Sequence, residues 1–352
     1  MRARIEAPIQ PSVHAERCVH TRVTDASCRA CIDVCPVDAW VIDDESLGID
    51  SEYCDGCGLC AAACPQGAII SLPSDWSDQF DSRLFVRLAC QKAGVDQNGA
   101  TISCMHALGI QQLMRLYRGG ARHLCFTTGN CEQCTRNAAH GLPELLGQLN
   151  VLLESRQLSK MELRVTGCDD WHLGSDGVDQ SGCAPALSRR AFFGKLMTRS
   201  QSLHNELTGP IEEPTFTPPA RILPRRRRND VVPYVPQIDT SQCNGCDTCV
   251  SLCPQQAIEL HATPRADELQ YRLDAESCSG CGICVDVCKQ GAVSIERWRA
   301  QTQFLLPLKA RRCAACGAPF NLPATTKASR NLCAVCAKTN HASTLFQVID
   351  PG

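Results

Sequence analysis

The residues with chemical potential in this chain are its cysteines, 27 of them in 352 positions. Sixteen fall into four near-copies of one pattern: CVHTRVTDASCRACIDVCP from Cys18, CDGCGLCAAACP from Cys54, CNGCDTCVSLCP from Cys243 and CSGCGICVDVCK from Cys278. The last three keep the spacing C-x2-C-x2-C-x3-C. In such a run the first three thiolates converge on one cubane iron–sulfur cluster, and the fourth reaches across to a cluster held by a partner run. Zinc draws its four ligands from two separated pairs, which these runs do not provide. The chemistry expected of them is the storage and passage of single electrons.

Two departures from the pattern bear on that chemistry. Nine residues separate Cys18 from Cys28, so Cys18 departs furthest from the spacing, and His20 inside the insertion is a second candidate whose ligation would raise the potential. The insertion otherwise reads as a longer surface loop. Lys289 stands where the other runs carry proline after the fourth cysteine. Proline there fixes the turn; lysine adds a charge and an N–H donor near sulfur, and a higher potential is expected for the cluster that Cys288 ligates.

A second group of cysteines ends the chain. RRCAACGAPF and NLCAVCAK give C-x2-C-x16-C-x2-C from Cys313, Cys316, Cys333 and Cys336, within the range of zinc ribbons. Four thiolates leave no open position, so a Zn2+ held there would be structural. Rubredoxin-type iron is the rival, and Ala337, in place of a second knuckle glycine, favours zinc.

The elements that must position these residues repeat with them. Each run is followed by a strand-like segment, DAWVID, GAIISL, QAIELH or GAVSIE, and three are preceded by GIDSEYC, QIDTSQC or RLDAESC. Alternating β-branched residues on either side of a turn-rich loop imply a short strand pair at each cluster. One repeat is too small to cover a cluster, whereas two related by a pseudo-twofold axis are not.

On these motifs, residues 16–72 and 237–297 each resemble a bacterial-type ferredoxin with two [4Fe-4S] clusters. The resemblance implies ligand sets read crosswise: Cys54, Cys57, Cys60 with Cys35; Cys18, Cys28, Cys31 with Cys64; Cys243, Cys246, Cys249 with Cys288; and Cys278, Cys281, Cys284 with Cys253. Between the modules, RLFVRLAC, ATISC, ARHLCFTTG and MELRVTGC read as strands alternating with the amphipathic helices GIQQLMRLYRGG and LPELLGQLNVLLESRQ, a small parallel α/β sheet. Cysteines stand where the strands end, and ligands bind at the carboxyl ends of parallel strands. Cys90, Cys104, Cys131 and Cys134 therefore form a candidate fifth metal site. The segment resembles the delta subunit of methyl-viologen-reducing hydrogenase, which implies a [2Fe-2S] cluster, although C-x2-C is tighter than that family's spacing. Cys125, in mid-strand, reads as a small buried hydrophobe, and Cys168 and Cys183 have no assigned role.

The fold expected is α+β and multidomain: a ferredoxin module at 1–80, a cysteine-bearing α/β domain at 81–185, a helix around SRRAFFGKL and a Pro/Arg-rich linker at 186–236, a second ferredoxin module at 237–300 and a zinc-ribbon-like module at 301–352. An aromatic content of 5% argues against one large aromatic core. The formal charge of −2 counts cysteines as neutral; four oxidised cubanes with their thiolates add roughly −8. Arg225 to Arg228 suit a solvated linker or docking onto an acidic partner, and without interleaved aromatics they do not suggest nucleic acid. No apolar run approaches the roughly 18 residues of a membrane span, which leaves only peripheral membrane association, and the N-terminus carries no export-type apolar stretch. Clustered cysteines in that setting imply a reducing, cytoplasmic location.

No G-x-G-x-x-G loop, P-loop or C-x3-C-x2-C triad is present, and no catalytic residue is assigned. The expectation is an electron-transfer subunit between a low-potential donor and a partner oxidoreductase such as a hydrogenase, formate dehydrogenase or heterodisulfide-reductase-like enzyme. Alternatives are an accessory or maturation ferredoxin for a metalloenzyme, a thiol–disulfide or heterodisulfide reductase component using the middle cysteines, and a redox-responsive regulator.

Overall fold

The computed structural model describes residues 10–42, 47–72, 76–95, 100–136, 141–166, 216–263, 269–326 and 331–339. Cys168, Cys183 and the SRRAFFGKL segment lie outside them.

The first cysteine module is built from four short strands, β1 (Ser12–Val13), β2 (Trp40–Ile42), β3 (Leu47–Ile49) and β4 (Ile69–Ile70), with one-turn helices α1 (Val19–Arg22), α2 (Ala30–Asp33) and α3 (Leu59–Ala63). β1 pairs antiparallel with β4, and β2 with β3. The strand entering one run thus pairs with the strand leaving the other, the crossing that a pseudo-twofold axis demands.

The middle domain is a four-stranded parallel sheet in the order β6-β5-β7-β8, from β5 (Phe85–Cys90), β6 (Ala100–Ile102), β7 (His123–Thr127) and β8 (Glu162–Thr166). α4 (Ile110–Arg118) and α5 (Leu142–Ser155) make the crossovers. Leucines 142, 146, 149, 152 and 153 form the buried stripe of α5 and join Val86, Leu88, Leu124 and Phe126 in the largest core, as the 3.6-residue period requires. The strand order reverses between β5 and β7, so a crevice opens at their carboxyl ends.

The stretch expected as an extended linker is packed where it is described. α6 (Pro219–Ile222) buries Ala220 and Ile222, and Ile222 and Leu223 complete the middle-domain core. The buried guanidinium of Arg156 donates to the carbonyls of Leu223, Pro224 and Val231. The arginine run is also fastened. The N–H groups of Arg226 and Arg227 donate to buried Asp230, that of Arg225 donates to Glu276, and the Arg225 and Arg228 guanidinium groups lie over Phe304. Burial of apolar surface and satisfaction of backbone carbonyls, neither of which residue composition reports, override the proline and arginine content.

The second module repeats the first on a larger scale. β9 (Val231–Ile238) pairs with β12 (Val293–Ala300), and β10 (Ile258–Ala262) with β11 (Leu269–Leu273); α7 (Thr248–Ser251) and α8 (Ile283–Asp286) follow the cysteine loops. The C-terminal residues are not detached from it. β13 (Leu305–Arg312) adds to β11 and carries β14 (Pro319–Pro323), which makes one sheet in the order β10-β11-β13-β14. At the seam Gly245 closes against the Asn321 carbonyl so tightly that no side chain could fit.

The insertion after Cys18 also differs from the expected surface loop. It forms α1, and Val19 and Ala26 bury themselves with Ile283 of the second module, flanked by Val23, Leu252 and Val287. Ser27 donates twice to Asp286, and Gln66 bridges Ser279 and Gln255. The extra residues join the two modules. No described helix is long and apolar enough to cross a membrane.

Candidate metal centres

The loop geometry recurs in all four runs. The third residue after the fourth cysteine turns left-handed: Asp38, Gly67, Gln256 and Gly291 have φ of 51, 58, 52 and 61°. That turn aims the next N–H, from Ala39, Ala68, Ala257 or Ala292, at the Sγ of Cys35, Cys64, Cys253 or Cys288, at 3.3, 3.3, 3.1 and 3.3 Å. The carbonyls of these alanines accept from Asp50, His14, Asp274 and Asp239, each just before the partner run. All four alanines are buried. The signal was in the sequence as an alanine four residues after each fourth cysteine, and reading the cysteines alone missed it. An N–H aimed at sulfur favours its charged form and tunes a bound cluster.

Cys35, Cys54, Cys57 and Cys60 line one cavity, and Cys253, Cys278, Cys281 and Cys284 another, with about 320 and 340 Å³ of atom-free space. Burial pushes Cys31 up to about 12, with Cys64, Cys28 and Cys18 as the next causes. Burial likewise pushes Cys249 up to about 12, followed by Cys243, Cys246 and Cys288. For Cys31 and Cys249 the sulfurs named are those of their crosswise sets, while Cys60 and Cys284 also feel Cys31 and Cys249 of the neighbouring sets. Thiols held this high become ligands only against the positive charge of a metal core. His20 is turned away from this role at one ring nitrogen, with Nε2 2.8 Å from the Cys28 carbonyl. The Lys289 N–H, expected near sulfur, donates to the Val287 carbonyl at 3.1 Å, and the sulfur of Cys288 takes its bond from Ala292.

In the middle domain Cys90 ends β5, Cys104 follows β6, and Cys131 and Cys134 occupy the loop after β7, so topology collects the quartet at the crevice. The crevice they line has about 330 Å³ of atom-free space, open solvent at its mouth included. Cys90 and Cys104 are buried, whereas Cys131 and Cys134 are partly exposed. The Cys90 thiol is lowered to about 6, first by its hydrogen bond with Cys104, against burial, and further by the Lys92 N–H and Arg136. Cys104 is pushed up by the same bond and by burial. His106 also lines the crevice, but its Nδ1 accepts the Leu142 N–H at 3.0 Å and caps α5. Cys125 is half-buried within β7 and is not among the residues that line the crevice.

Sulfur spacing separates a single ion from a cluster. Around one tetrahedral ion with metal–sulfur bonds of about 2.3 Å, sulfurs lie roughly 3.8 Å apart. Among the described residues only Cys313, Cys316, Cys333 and Cys336 meet that need, all within 4.8 Å and with Cys316 and Cys333 at 3.9 Å. Gly317, at φ 71°, donates its N–H to the Cys313 carbonyl and closes the first knuckle. In none of the other quartets do three described sulfurs lie within 4.8 Å of one another.

The centres are contiguous. Cys57 and Leu59 pack against Cys104 and Ala107 of the middle domain. Cys31 and Cys60 share a core with Ile69. Cys28 and Cys281 border the apolar contact between modules, and Cys249 and Cys284 share the core of the second.

Comparison with known proteins agrees with these loops. The family model of the 4Fe-4S dicluster domain matches residues 26–68 and 242–292. The 7Fe ferredoxin of Hydrogenibacillus schlegelii is 39% identical over 67 residues, 18% of this chain and 80% of that protein. An uncharacterized ferredoxin of Methanocaldococcus jannaschii is 51% identical over 39 residues, 11% of this chain and 26% of that protein. The pyruvate synthase subunit PorD of Thermotoga maritima is 36% identical over 67 residues, 18% of this chain and 60% of that protein. The matches thus span about a quarter of the second relative's length and three fifths of the third's.

Proposed function

We propose, since the chain belongs to the 4Fe-4S dicluster ferredoxins, that this iron–sulfur electron carrier is a multi-centre relay between a low-potential donor and a partner oxidoreductase. Four [4Fe-4S] clusters would be held crosswise by Cys35, Cys54, Cys57 and Cys60; by Cys18, Cys28, Cys31 and Cys64; by Cys253, Cys278, Cys281 and Cys284; and by Cys243, Cys246, Cys249 and Cys288. Cys90, Cys104, Cys131 and Cys134 would hold a fifth iron–sulfur group, and the C-terminal quartet a structural zinc. Bound iron–sulfur groups supply a reversible one-electron couple. The residues hold, insulate and tune: thiolates ligate, the alanine N–H groups stabilise charge on sulfur, and Ile69, Ile258, Ile283 and Val293 keep water out.

Contiguity carries the reading. The order Cys104 to Cys57, Cys60 to Cys31, Cys28 to Cys281 and Cys284 to Cys249 has no break. Its two ends reach solvent, at the Cys131–Cys134 loop and at exposed Cys246. Two exposed ends suit a donor at one and an acceptor at the other. The likeness to a pyruvate synthase subunit adds a pyruvate synthase to the candidate partners, beside a hydrogenase, formate dehydrogenase or heterodisulfide-reductase-like enzyme.

Metal analysis of anaerobically purified protein tests this. Four cubanes require about sixteen irons, a [2Fe-2S] group about two more and the ribbon about one zinc. About eight irons, or a colourless protein after anaerobic reconstitution, overturns it. A stable stoichiometric complex with an oxidoreductase favours relay over a maturation role.

A further inference from the structure

One charged side chain joins the middle crevice to the first cysteine module. Arg136 lies two residues after Cys134, and its side chain is 4% exposed. Its Nε donates to Asp55 Oδ2 at 2.6 Å and its Nη2 to the Asp55 carbonyl at 2.8 Å. Its Nη1 donates to the Ser103 carbonyl at 2.9 Å and to Gln91 Oε1 at 3.3 Å. Asp55 follows Cys54; Ser103 and Gln91 adjoin Cys104 and Cys90. The guanidinium thus touches the backbone or side chain next to a cysteine of both quartets, and it lines the middle cavity. Asp55 also accepts the Cys57 N–H at 3.0 Å, so the pair reaches a second ligand of the neighbouring set.

The planar fork suits this place. Arginine stays charged when buried and presents fixed donors, whereas lysine offers a point charge. Its charge also faces little screening, because buried pairs are screened far less than exposed ones. Asp55 is specific to this run: the equivalent residue is Asn244 or Ser279 in the other two ungapped runs. The charge pair therefore belongs to the junction and not to the repeat.

We propose that Arg136, paired with Asp55, is the residue that sets the potentials of the middle-domain centre and of the adjoining Cys35/Cys54/Cys57/Cys60 centre together, and so matches the two ends of that junction. This rests on the relay reading above. A cation beside both sites favours the more negative, reduced state of each group. Arg136 is a positioning and tuning residue, since it contacts ligand-bearing loops and no described sulfur is its hydrogen-bond partner.

The test is a potentiometric titration followed by electron paramagnetic resonance on the full-length, iron-loaded protein. With Arg136→Met, the midpoints of these two centres move negative together while the other three stay fixed. With Asp55→Asn the same two move positive, and Arg136→Lys gives a smaller negative shift than the methionine variant. Should Arg136→Met lose iron, Asp55→Asn and Arg136→Lys carry the measurement. Loaded centres with unmoved potentials, a shift in only one of the two, or an equal shift in all five, overturn the proposal alone. A wild-type middle quartet that takes up no iron removes both the proposal and the relay reading at that end.

Discussion

At the scale of single residues, the four alanine N–H donors show how a tuning device hides in an unremarkable side chain. All four alanines are buried at 1–3% exposure. Lys289 illustrates the reverse case, a conspicuous residue whose amide does not reach sulfur. Only its exposed ammonium remains to act, and exposed charges are screened by salt. Lys289→Pro should therefore lower the midpoint of the Cys243/Cys246/Cys249/Cys288 centre at low ionic strength, and the shift should vanish near 1 M salt. A shift that survives salt would mean a direct donor to sulfur after all. Buried Tyr271, whose hydroxyl donates to Asp247 at 2.5 Å, makes a second case. Tyr271→Phe should cost about 1.5–3 kcal/mol, the range for a hydrogen bond to a charged group, read as cluster bleaching at a lower urea concentration.

At the scale of elements, the insertion carrying α1 does more than lengthen a loop. Ile283 is 1% exposed and Val19 3%, and Ile→Ala in such a site costs about 2–5 kcal/mol. Ile283→Ala should loosen the inter-module contact and weaken the magnetic interaction between the reduced inner centres, while the iron content of each module is kept. Unchanged spectra would mean that the hydrogen bonds from Ser27 and Gln66 suffice. The repeats, the strands beside them and the parallel sheet were legible in the sequence because each is a local pattern: alternation, 3.6-residue periodicity and fixed cysteine spacing. The role of α1 was not legible, because the second-module partners of Val19, Ile283, Leu252 and Val287, lie more than 200 residues away and nothing in TRVTDAS announces them. Arg136 was hidden for the same reason, its meaning residing in Asp55 81 residues earlier.

At the scale of the whole molecule, the stretch 216–238 is the seam that holds middle domain and second module together. Composition made it a linker; the carbonyl partners of Arg156 and the buried carboxylate of Asp230 make it structure. Trypsin should therefore leave the run Arg225–Arg228 intact in the folded protein despite four consecutive arginines, and mass spectrometry of a brief digest would reveal early cuts there if the seam were open. If the C-terminal quartet holds zinc as proposed, Cys333→Ser should release about one zinc per chain and leave the iron in place.

The attachment of β13 to β11 carries one further consequence. With that hairpin in position the β13-facing flank of β11 is paired at Gln270, Tyr271 and Arg272; were the hairpin to fray on loss of an ion held by the C-terminal quartet, that flank would stand bare. A bare flank is a template onto which a second molecule can lay its own strand. Metal-depleted protein should accordingly sediment as larger species at higher concentration, and unchanged sedimentation would show that the hairpin stays paired without an ion.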